Sequence, residues 1–355
     1  MSSRRSLRPP DGGLFRLFIE VSIMYRRIGP LTFLFFILLP AASARDWVPV
    51  TVELLKKEKT GFGGLCGVVV HPPSGDVIIN LSDRGLFRSK DQGKSWQRLG
   101  SIPLKGRTET PGCLMIDPLQ HRRLVSALVY GSPIIVSPDC GESWTTLSPK
   151  ASHVDWCAVD WTDPDLRFIL TLKHESGDRL LVSRDGGKNF EEIGDGYGPA
   201  WIFDRQTAVV AEARSKTKPA PGLLRTTDAG RTFQPCGNYY ARTLPRFKSG
   251  MLYWLVEGAL IASSDQGKTW KKLLDVKDGR CGPVFGKSAQ HLLVLTATHI
   301  RESKDGGATW AAPIPLPASI KNAGHLAWVE YDAGRDIVYV MKMGSELYRW
   351  ARGKY

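Results

Sequence analysis

Several signals that would assign a function directly are missing from this sequence. Its six cysteines form no CxxC or CxxCH spacing, so thiol-redox, zinc-ribbon and c-type haem proteins lose their usual support. The basic residues are scattered through turns and form no continuous arm, so nucleic acid is not an expected partner. No linker divides the sequence, and we therefore expect a single folded domain.

The composition is that of an ordinary globular protein. Of the 355 residues, 42% are apolar and 23% are charged, which provides a large core and excludes a wholly disordered or collagen-like chain. The 36 glycines and 23 prolines favour a fold with many turns.

The first 44 residues have the pattern of a secretory signal peptide. Arg26 and Arg27 precede a short apolar run, and Ala42-Ser43-Ala44 supplies small residues for a peptidase. The run lies between Pro30 and Pro40 and is far shorter than the roughly 20 residues of a membrane span. We expect translation to start at Met24, cleavage after Ala44, and a secreted or periplasmic protein with no transmembrane span. Residues 1–44 hold six arginines and two acids, so the net charge of +13 falls by four to +9 in the mature chain.

Six segments of the sequence share the form S/T-x-D-x-G-x-x-W/F. They read SKDQGKSW, SPDCGESW, SRDGGKNF, TTDAGRTF, SSDQGKTW and SKDGGATW. Their aspartates are 48, 46, 43, 37 and 40 residues apart, a period typical of stacked or radial supersecondary units. The repeat therefore indicates at least six structural units of similar size.

Each repeat has the features of a hairpin between two strands. A short apolar strand precedes it and another begins at its aromatic residue, while Asp and Gly suit the turn. Two more strand-like runs come before each hairpin, for example CGVVV and DVIINL. Four antiparallel strands in about 43 residues are typical of a propeller blade.

The two ends of the mature chain together supply a seventh blade. Three strand-like runs, LAWVEYD, DIVYVMKM and SELYRWA, follow the sixth repeat, and residues 46–54 provide an unassigned strand. We therefore predict an all-β fold over residues 45–355, a single seven-bladed β-propeller of four-stranded antiparallel blades. Pairing of the N-terminal strand with the last blade closes the ring and removes open edges.

The six segments resemble the Asp-box, or BNR, repeats of sialidases, xyloglucan-type endoglucanases, sortilin-like receptors and photosystem II assembly factors of the Ycf48 type. The resemblance covers residues 46–355. It implies that the boxes are structural hairpins at the blade rim, away from the ligand face. The aspartates to which it gives a folding role are Asp91, Asp139, Asp185, Asp228, Asp265 and Asp305.

The enzymatic members of this group have features that the sequence lacks. Sialidases carry an Arg-Ile-Pro segment, for which Pro245-Arg246-Phe247 is a poor substitute. The xyloglucan-type enzymes use two tandem propellers, and this chain has the length of one. Fold alone does not settle the activity.

The ligand face of such folds is built from loops entering each innermost strand and loops between the second and third strands. Aromatic and charged residues there are suited to stacking on sugar rings and holding anionic groups. The candidates are Arg107, His153, Asp155, Trp156, Tyr197, Trp201, Tyr239, Tyr240, Arg242 and His325, with Lys173, His174 and Glu175 in a neighbouring loop.

Four acidic residues fall at the innermost strands: Asp117, Asp160, Asp204 and Glu330. Two carboxyl groups about 5–10 Å apart can hydrolyse a glycosidic bond. The alternative is that these acids bind backbone N–H groups and have no chemical role.

Four cysteines, Cys66, Cys113, Cys157 and Cys281, lie near the starts of innermost strands. They are either small fillers at a crowded axis or, for the pairs Cys66–Cys113 and Cys113–Cys157, disulfide candidates. Cys140, inside a repeat, is the expected reactive thiol. The spacing of His and Cys predicts no metal site, and nothing predicts a cofactor.

Two functional hypotheses follow. The first is an exported, monomeric interaction module that binds a protein or an anionic glycan, which suits a net charge of +9. The alternative is a carbohydrate-active enzyme, sialidase-like or another glycoside hydrolase, with its site at the axial mouth. A partner-capture assay and a glycan panel distinguish them.

Overall fold

The computed structural model describes residues 47–61, 63–100, 113–131, 133–320, 322, 324 and 326–352. The expected signal peptide, residues 1–44, lies outside the described residues, as do Arg107 and His325. Among the described residues, no helix has the length and apolar character needed to cross a bilayer.

The described chain forms seven four-stranded antiparallel sheets, as predicted. Blades 1 to 6 each contain four strands that are consecutive in sequence and in space. Blade 1 contains β2 (Leu65–Val70), β3 (Val77–Leu81), β4 (Gly85–Ser89) and β5 (Gln97–Arg98). Blade 2 contains β6 (Leu114–Ile116), β7 (Leu124–Ser126), β8 (Pro133–Ser137) and β9 (Thr145–Ser152). Blade 3 contains β10 (Val154–Val159), β11 (Ile169–Lys173), β12 (Arg179–Ser183) and β13 (Glu191–Gly194).

The second half of the ring follows the same order. Blade 4 contains β14 (Tyr197–Ile202), β15 (Ala208–Glu212), β16 (Leu223–Thr226) and β17 (Gln234–Gly237). Blade 5 contains β18 (Arg246–Lys248), β19 (Met251–Val256), β20 (Gly258–Ser263) and β21 (Lys271–Val276). Blade 6 contains β22 (Gly279–Phe285), β23 (Leu292–Thr296), β24 (His299–Ser303) and β25 (Ile314–Pro315). Blade 7 contains β26 (Ala327–Asp332), β27 (Ile337–Lys342), β28 (Tyr348–Ala351) and, from the other end of the chain, β1 (Val48–Pro49).

The N-terminal strand closes the ring, as predicted. Strand β1 pairs antiparallel with β28, with Val48 opposite Arg349 and Pro49 opposite Tyr348. The Val50 N–H then donates to the Leu347 carbonyl over 2.8 Å. The outer edge of β28 is therefore covered by backbone pairing.

The strand expected over residues 46–54 is wrong in its second half. After Thr51 the chain forms helix α1 (Val52–Glu58). The segment VELLKKE consists mainly of good helix formers, and it turns the apolar Leu54 inward. The Thr51 hydroxyl donates to Glu346 and accepts from the Leu347 N–H, which fixes the helix start against blade 7.

The core lies between the blades. The innermost strand β2 is buried along its whole length because neighbouring blades cover both of its faces. Large side chains fill the spaces between sheets, and Trp156, Trp254 and Trp328 are almost completely buried. Each blade therefore depends on its neighbours for the burial of its apolar faces.

Candidate functional site

The six repeated segments, called the repeat turns below, fold into one hydrogen-bonded unit. In blade 1 the Ser89 hydroxyl donates to Asp91 over 2.8 Å and accepts from the Gly93 N–H over 2.7 Å. The N–H and the hydroxyl of Ser95 also donate to the Asp91 carboxylate, over 2.8 and 2.6 Å. The equivalent bonds recur in blades 2 to 6.

These bonds stabilise the ionised form of each turn aspartate. The backbone N–H and the side-chain amide of Asn189 are the main causes that lower the pKa of Asp185 to about 2. In Asp305, the side-chain and backbone bonds from Thr309 lower the pKa to about 2. The oxygens of these carboxylates are engaged within their own turns, which is the geometry of a folding element.

The repeat turns rest on the turns between the first and second strands of each blade, called the inner turns below. The Cys140 N–H donates to the Arg122 carbonyl over 2.8 Å, and the Gly306 N–H donates to the Gln290 carbonyl over 2.8 Å. Both kinds of turn therefore lie at one end of the ring, called the repeat end. The loops nominated by the sequence analysis lie at the other end, called the loop end.

A cavity of about 160 Å³ opens on the axis, lined by the final residues of the innermost strands and by the inner turns. It is called the axial cavity below. Its walls are largely apolar and aromatic and come from all seven blades. They include Val70, Met115, Trp161, Trp201, Phe247, Phe285 and Tyr331, with Lys248 and Ala333 where inner turns meet the cavity.

An ion pair between a half-buried arginine and a buried glutamate lies in the wall of the axial cavity. Arg246 Nη2 in β18 is 2.8 Å from Glu330 Oε1 in β26, so the contact joins blades 5 and 7. Burial raises the pKa of the Glu330 carboxyl more than the attraction of Arg246 lowers it. Cys281 lies beside the pair, and burial raises the pKa of its thiol. The cavity thus has largely apolar and aromatic walls, with the Arg246–Glu330 ion pair and Lys248 as charged groups.

The other three acids nominated at the axis lie in inner turns. Asp117 accepts from the N–H groups of Leu119 and Gln120 and from Arg123 Nε, the last over 2.8 Å. Asp160 accepts from the N–H and hydroxyl of Thr162. Asp204 accepts from the N–H groups of Gln206 and Thr207. Each of these carboxylates bonds to its own turn, the structural alternative stated above.

Two aromatic candidates do not lie on the loop end. Trp156 is 1% exposed and belongs to the core between blades, so it offers no surface for stacking. Trp201 lies in β14 and lines the axial cavity, where it stacks on Phe247 with ring centroids 5.7 Å apart. Trp156 packs in the core between sheets, and Trp201 is the next-to-last residue of β14, near the repeat end of that strand.

The loop end of blades 4 and 5 brings together part of the predicted set. The Arg214 guanidinium lies 4.3 Å above the ring of Tyr240 and donates two hydrogen bonds to Glu257. Arg242 is exposed, and Tyr239 and Tyr197 are half-buried. Tyr197 packs on Phe233, with centroids 5.9 Å apart, and burial raises the pKa of its hydroxyl. The Tyr240 ring face is therefore covered by Arg214.

The loop end of blades 2 and 3 gathers a second group around two histidines. His174 Nδ1 is 2.5 Å from Asp155 Oδ1, and His174 Nε2 is 3.0 Å from the Tyr130 hydroxyl. The His153 and His174 rings are 4.8 Å apart, centroid to centroid. His153 and Asp155 were predicted at this face; Tyr130 was not, because it is separated in sequence from the others and belongs to no motif.

Cys140, Cys157, Cys236 and Cys281 are free thiols. Cys66, Cys113, Cys157 and Cys281 are buried, consistent with small fillers near the axis. Cys140 is half-buried, and burial raises the pKa of its thiol, which lowers its thiolate fraction near neutral pH. The expectation of a reactive thiol there is not supported.

Sequence reasoning placed a site at the axial mouth only for the hydrolase alternative, and of the aromatic wall residues it named Trp201 alone as a candidate. A usable signal was present, because large apolar residues recur where the innermost strands end, at Trp161, Trp201, Phe247, Phe285 and Tyr331. The interaction-module prediction instead used the loops that usually carry ligands, which lie at the opposite end of the ring.

No family model matches the sequence, and no curated protein matches it significantly. Solved structures do resemble the fold. A structure described as YCF48 bound to D1 peptide is 13% identical, with 87% of this chain and 95% of that chain covered and a TM-score of 0.50. The extracellular domain of the putative hybrid two component system BT4673 from B. thetaiotaomicron is 11% identical, covers 82% of this chain and 38% of that one, and has a TM-score of 0.55. The Cps50 (Swd1) β-propeller domain of Myceliophteria thermophila is 10% identical, with 82% and 98% covered and a TM-score of 0.55. At these identities the likeness shows the propeller fold.

Proposed function

We propose that this protein is a binding module that holds a segment of a protein partner at the repeat end, with an apolar side chain of that segment inserted into the axial cavity. The observation that carries the proposal is the cavity of about 160 Å³ with walls that include Trp161, Trp201 and Phe247. Aromatic walls of this kind gain free energy by covering apolar surface, as at the centres of protein interfaces.

The ring supplies a rigid frame for such a site. The cavity walls come from innermost strands whose outward neighbours are hydrogen-bonded through complete four-stranded sheets. A preformed wall loses little conformational freedom on binding, so more of the contact energy becomes affinity. The solved propeller described as YCF48 bound to D1 peptide fits a peptide as the class of ligand.

Two finer assignments belong to the same proposal. The bonds between serine or threonine, aspartate and glycine in all six repeat turns support their classification as Asp-box repeats. The basic and apolar pattern of residues 24–44 supports export with cleavage after Ala44. An exported module would meet its partner outside the cytoplasm.

The glycoside hydrolase alternative has less support from the described residues. Asp117, Asp160 and Asp204 are hydrogen-bonded within inner turns, and Glu330 is paired with Arg246. A hydrolase needs one carboxyl to protonate the leaving group and another to attack or activate water. A glycan panel incubated with purified protein tests this alternative, and product from any glycan would replace our proposal.

Peptide display on the purified protein tests the proposal directly. Peptides selected by the protein are titrated against it while tryptophan fluorescence is followed, because Trp161 and Trp201 line the cavity. Ala333→Trp narrows the cavity from an inner turn, and Phe247→Ala removes a wall. We expect each variant to weaken binding at least tenfold.

The matched control lies at the loop end. The triple variant Tyr239→Ala, Tyr240→Ala, Arg242→Ala should bind the selected peptides as tightly as the parent protein. Loss of binding in the triple variant with full binding in Ala333→Trp would place the partner at the loop end and refute the axial assignment. Circular dichroism and thermal unfolding identify any variant that fails to fold.

A further inference from the structure

We propose that the loop end of blades 2 and 3 holds a site for one transition-metal ion of the Zn²⁺ type, with His153, His174 and Glu175 as ligands. One potential ligand atom from each of the three residues lies within 4.8 Å of those from the other two. The site is at the opposite end of the ring from the axial cavity, and it stands independently of the proposed function.

Separate loops bring the ligands together. His153 is the single residue between β9 and β10, and His174 and Glu175 directly follow β11. The His174 N–H donates to the His153 carbonyl over 2.9 Å, which holds the two loops against each other. His153 and Glu175 have positive φ angles of 60° and 51°, a conformation that costs energy in non-glycine residues and recurs at functional sites.

Asp155 fixes the orientation of the His174 ring. Its carboxylate lies 2.5 Å from Nδ1 of His174. An ionised carboxylate accepts hydrogen bonds and donates none, so a neutral His174 ring carries its hydrogen on Nδ1. The lone pair is therefore on Nε2. A carboxylate behind a histidine is the arrangement that orients metal-bound imidazoles in proteins and increases their basicity.

On the other side of the His174 imidazole, Nε2 lies close to a carboxylate oxygen of Glu175. His174 Nε2 lies 3.4 Å from Glu175 Oε1, and both atoms are near the Tyr130 hydroxyl, at 3.0 and 2.9 Å. That hydroxyl has a single hydrogen for two acceptors. A cation bound between Nε2 and Oε1 would satisfy both lone pairs at once.

The distances suit a small ion. Zinc bonds nitrogen and carboxylate oxygen at about 2.0–2.2 Å, so two ligands of a tetrahedral site are about 3.4 Å apart. His174 Nε2 and Glu175 Oε1 are already 3.4 Å apart. The ligand atom of His153 lies within 4.8 Å of those of His174 and Glu175. A movement of the His153 ring on the order of 1 Å would bring it to bonding distance of an ion held by the other two.

The donor types select the class of metal. Two imidazoles and one carboxylate suit Zn²⁺ and its transition-metal neighbours, whereas Mg²⁺ and Ca²⁺ prefer oxygen ligands throughout. Three protein ligands leave a fourth position for water, for the Tyr130 oxygen or for a group from a bound partner.

Calorimetric titration of the untagged, chelator-treated protein with Zn²⁺ tests the proposal. We expect one equivalent to bind, with no response to Mg²⁺. Titration with Co²⁺ supplies a second readout, because N/O coordination with four ligands gives strong visible absorption. His153→Ala, His174→Ala and Glu175→Gln should each weaken Zn²⁺ binding at least tenfold, and Asp155→Asn, a positioning variant, should weaken it about 10–100-fold.

His299→Ala is the matched control. His299 is the first residue of β24 and lies next to a loop at the loop end, but it does not belong to the histidine cluster. It should retain full binding. The absence of one-equivalent binding would overturn the proposal, and so would equal affinity in the parent protein and the ligand variants. Because Glu175 is exposed, Glu175→Gln should fold normally and gives an answer even if a histidine variant does not.

Discussion

The indole N–H of Trp96 in the first repeat turn donates a hydrogen bond to the backbone carbonyl of Val50 over 2.9 Å. Val50 directly follows the strand that completes blade 7, so this bond links blade 1 to the closure of the ring. Gly93 makes room for the contact, because a Cβ atom there would lie 2.6 Å from the Val50 Cβ. Trp47 adds a bond from its indole nitrogen to the Pro315 carbonyl in blade 6, over 3.0 Å.

Trp96→Phe should therefore lower the free energy of unfolding by about 1 kcal/mol through the lost hydrogen bond. In a variant that also lacks residues 1–51, the same substitution should cost much less, because its acceptor is gone. Urea unfolding of the four proteins gives the coupling energy. Trp310→Phe is the control, because Trp310 bonds within its own turn, to the Gly307 carbonyl. Its cost should be independent of the N-terminal segment, and a zero coupling for Trp96 would contradict the role assigned to Val50.

The repeat-turn aspartates should make stability depend on acid. The folded-state pKa of Asp185 is about 2, below its ordinary value of 3.8. A carboxyl with a depressed folded pKa contributes its full stabilisation above the unfolded value, and that contribution is lost as the pH falls through the folded value. We therefore expect thermal stability to fall between about pH 4 and pH 2, with a shallower fall in Asp185→Asn. An equal slope in parent and variant would show that Asp185 gains nothing from being ionised.

The Arg246–Glu330 pair should show the asymmetry of buried charges. Glu330→Gln leaves Arg246 without its anion and should destabilise the protein by about 3 kcal/mol. The double variant Arg246→Met, Glu330→Leu removes both charges and should recover most of that loss. Denaturant unfolding at neutral pH measures both. A double variant no more stable than Glu330→Gln would contradict this expectation, because the cost would then not come from the unpaired Arg246.

Alanine substitutions at two glycines distinguish the energetic cost of backbone strain from the cost of overpacking. Gly267 in the fifth repeat turn and Gly250 in an inner turn have φ angles of 77° and 80°. A Cβ on Gly267 would lie 2.3 Å from Val209 Cγ1, whereas nothing lies within 4 Å of one on Gly250. Gly250→Ala should cost about 1 kcal/mol from conformation alone, and Gly267→Ala should cost a further 1–3 kcal/mol from overpacking. Equal melting temperatures for the two variants would disprove the close approach of blades 4 and 5.

The blade architecture was predictable because the repeat fixes register. Each aspartate and glycine marks a turn between the third and fourth strands, and six marks at a near-constant period define the remaining strands. Helix α1 was missed because Val52 and Leu54 alternate as in a strand, although VELLKKE consists mainly of good helix formers.

The sites depend on contacts that the sequence does not display. The axial cavity is lined by side chains from all seven blades, from Val70 to Tyr331, which are far apart in sequence. The histidine cluster joins Tyr130 to His174 across 44 residues and two blades. The loop-end prediction found His153, Asp155 and His174 as members of one face, but their mutual distances required the fold.

The pairing of β1 with β28 in blade 7 also determines when folding of the ring can be completed. The hydrogen bond from the Leu347 N–H to the Thr51 hydroxyl joins residues 296 positions apart. During synthesis, strand β1 leaves the ribosome first and has no partner until β28 has emerged, so completion of the ring is a late event with a large chain-closure cost. A nascent chain that stalls before Tyr348 contains all six repeat turns but lacks β28, so β1 has no strand to pair with and the ring stays open.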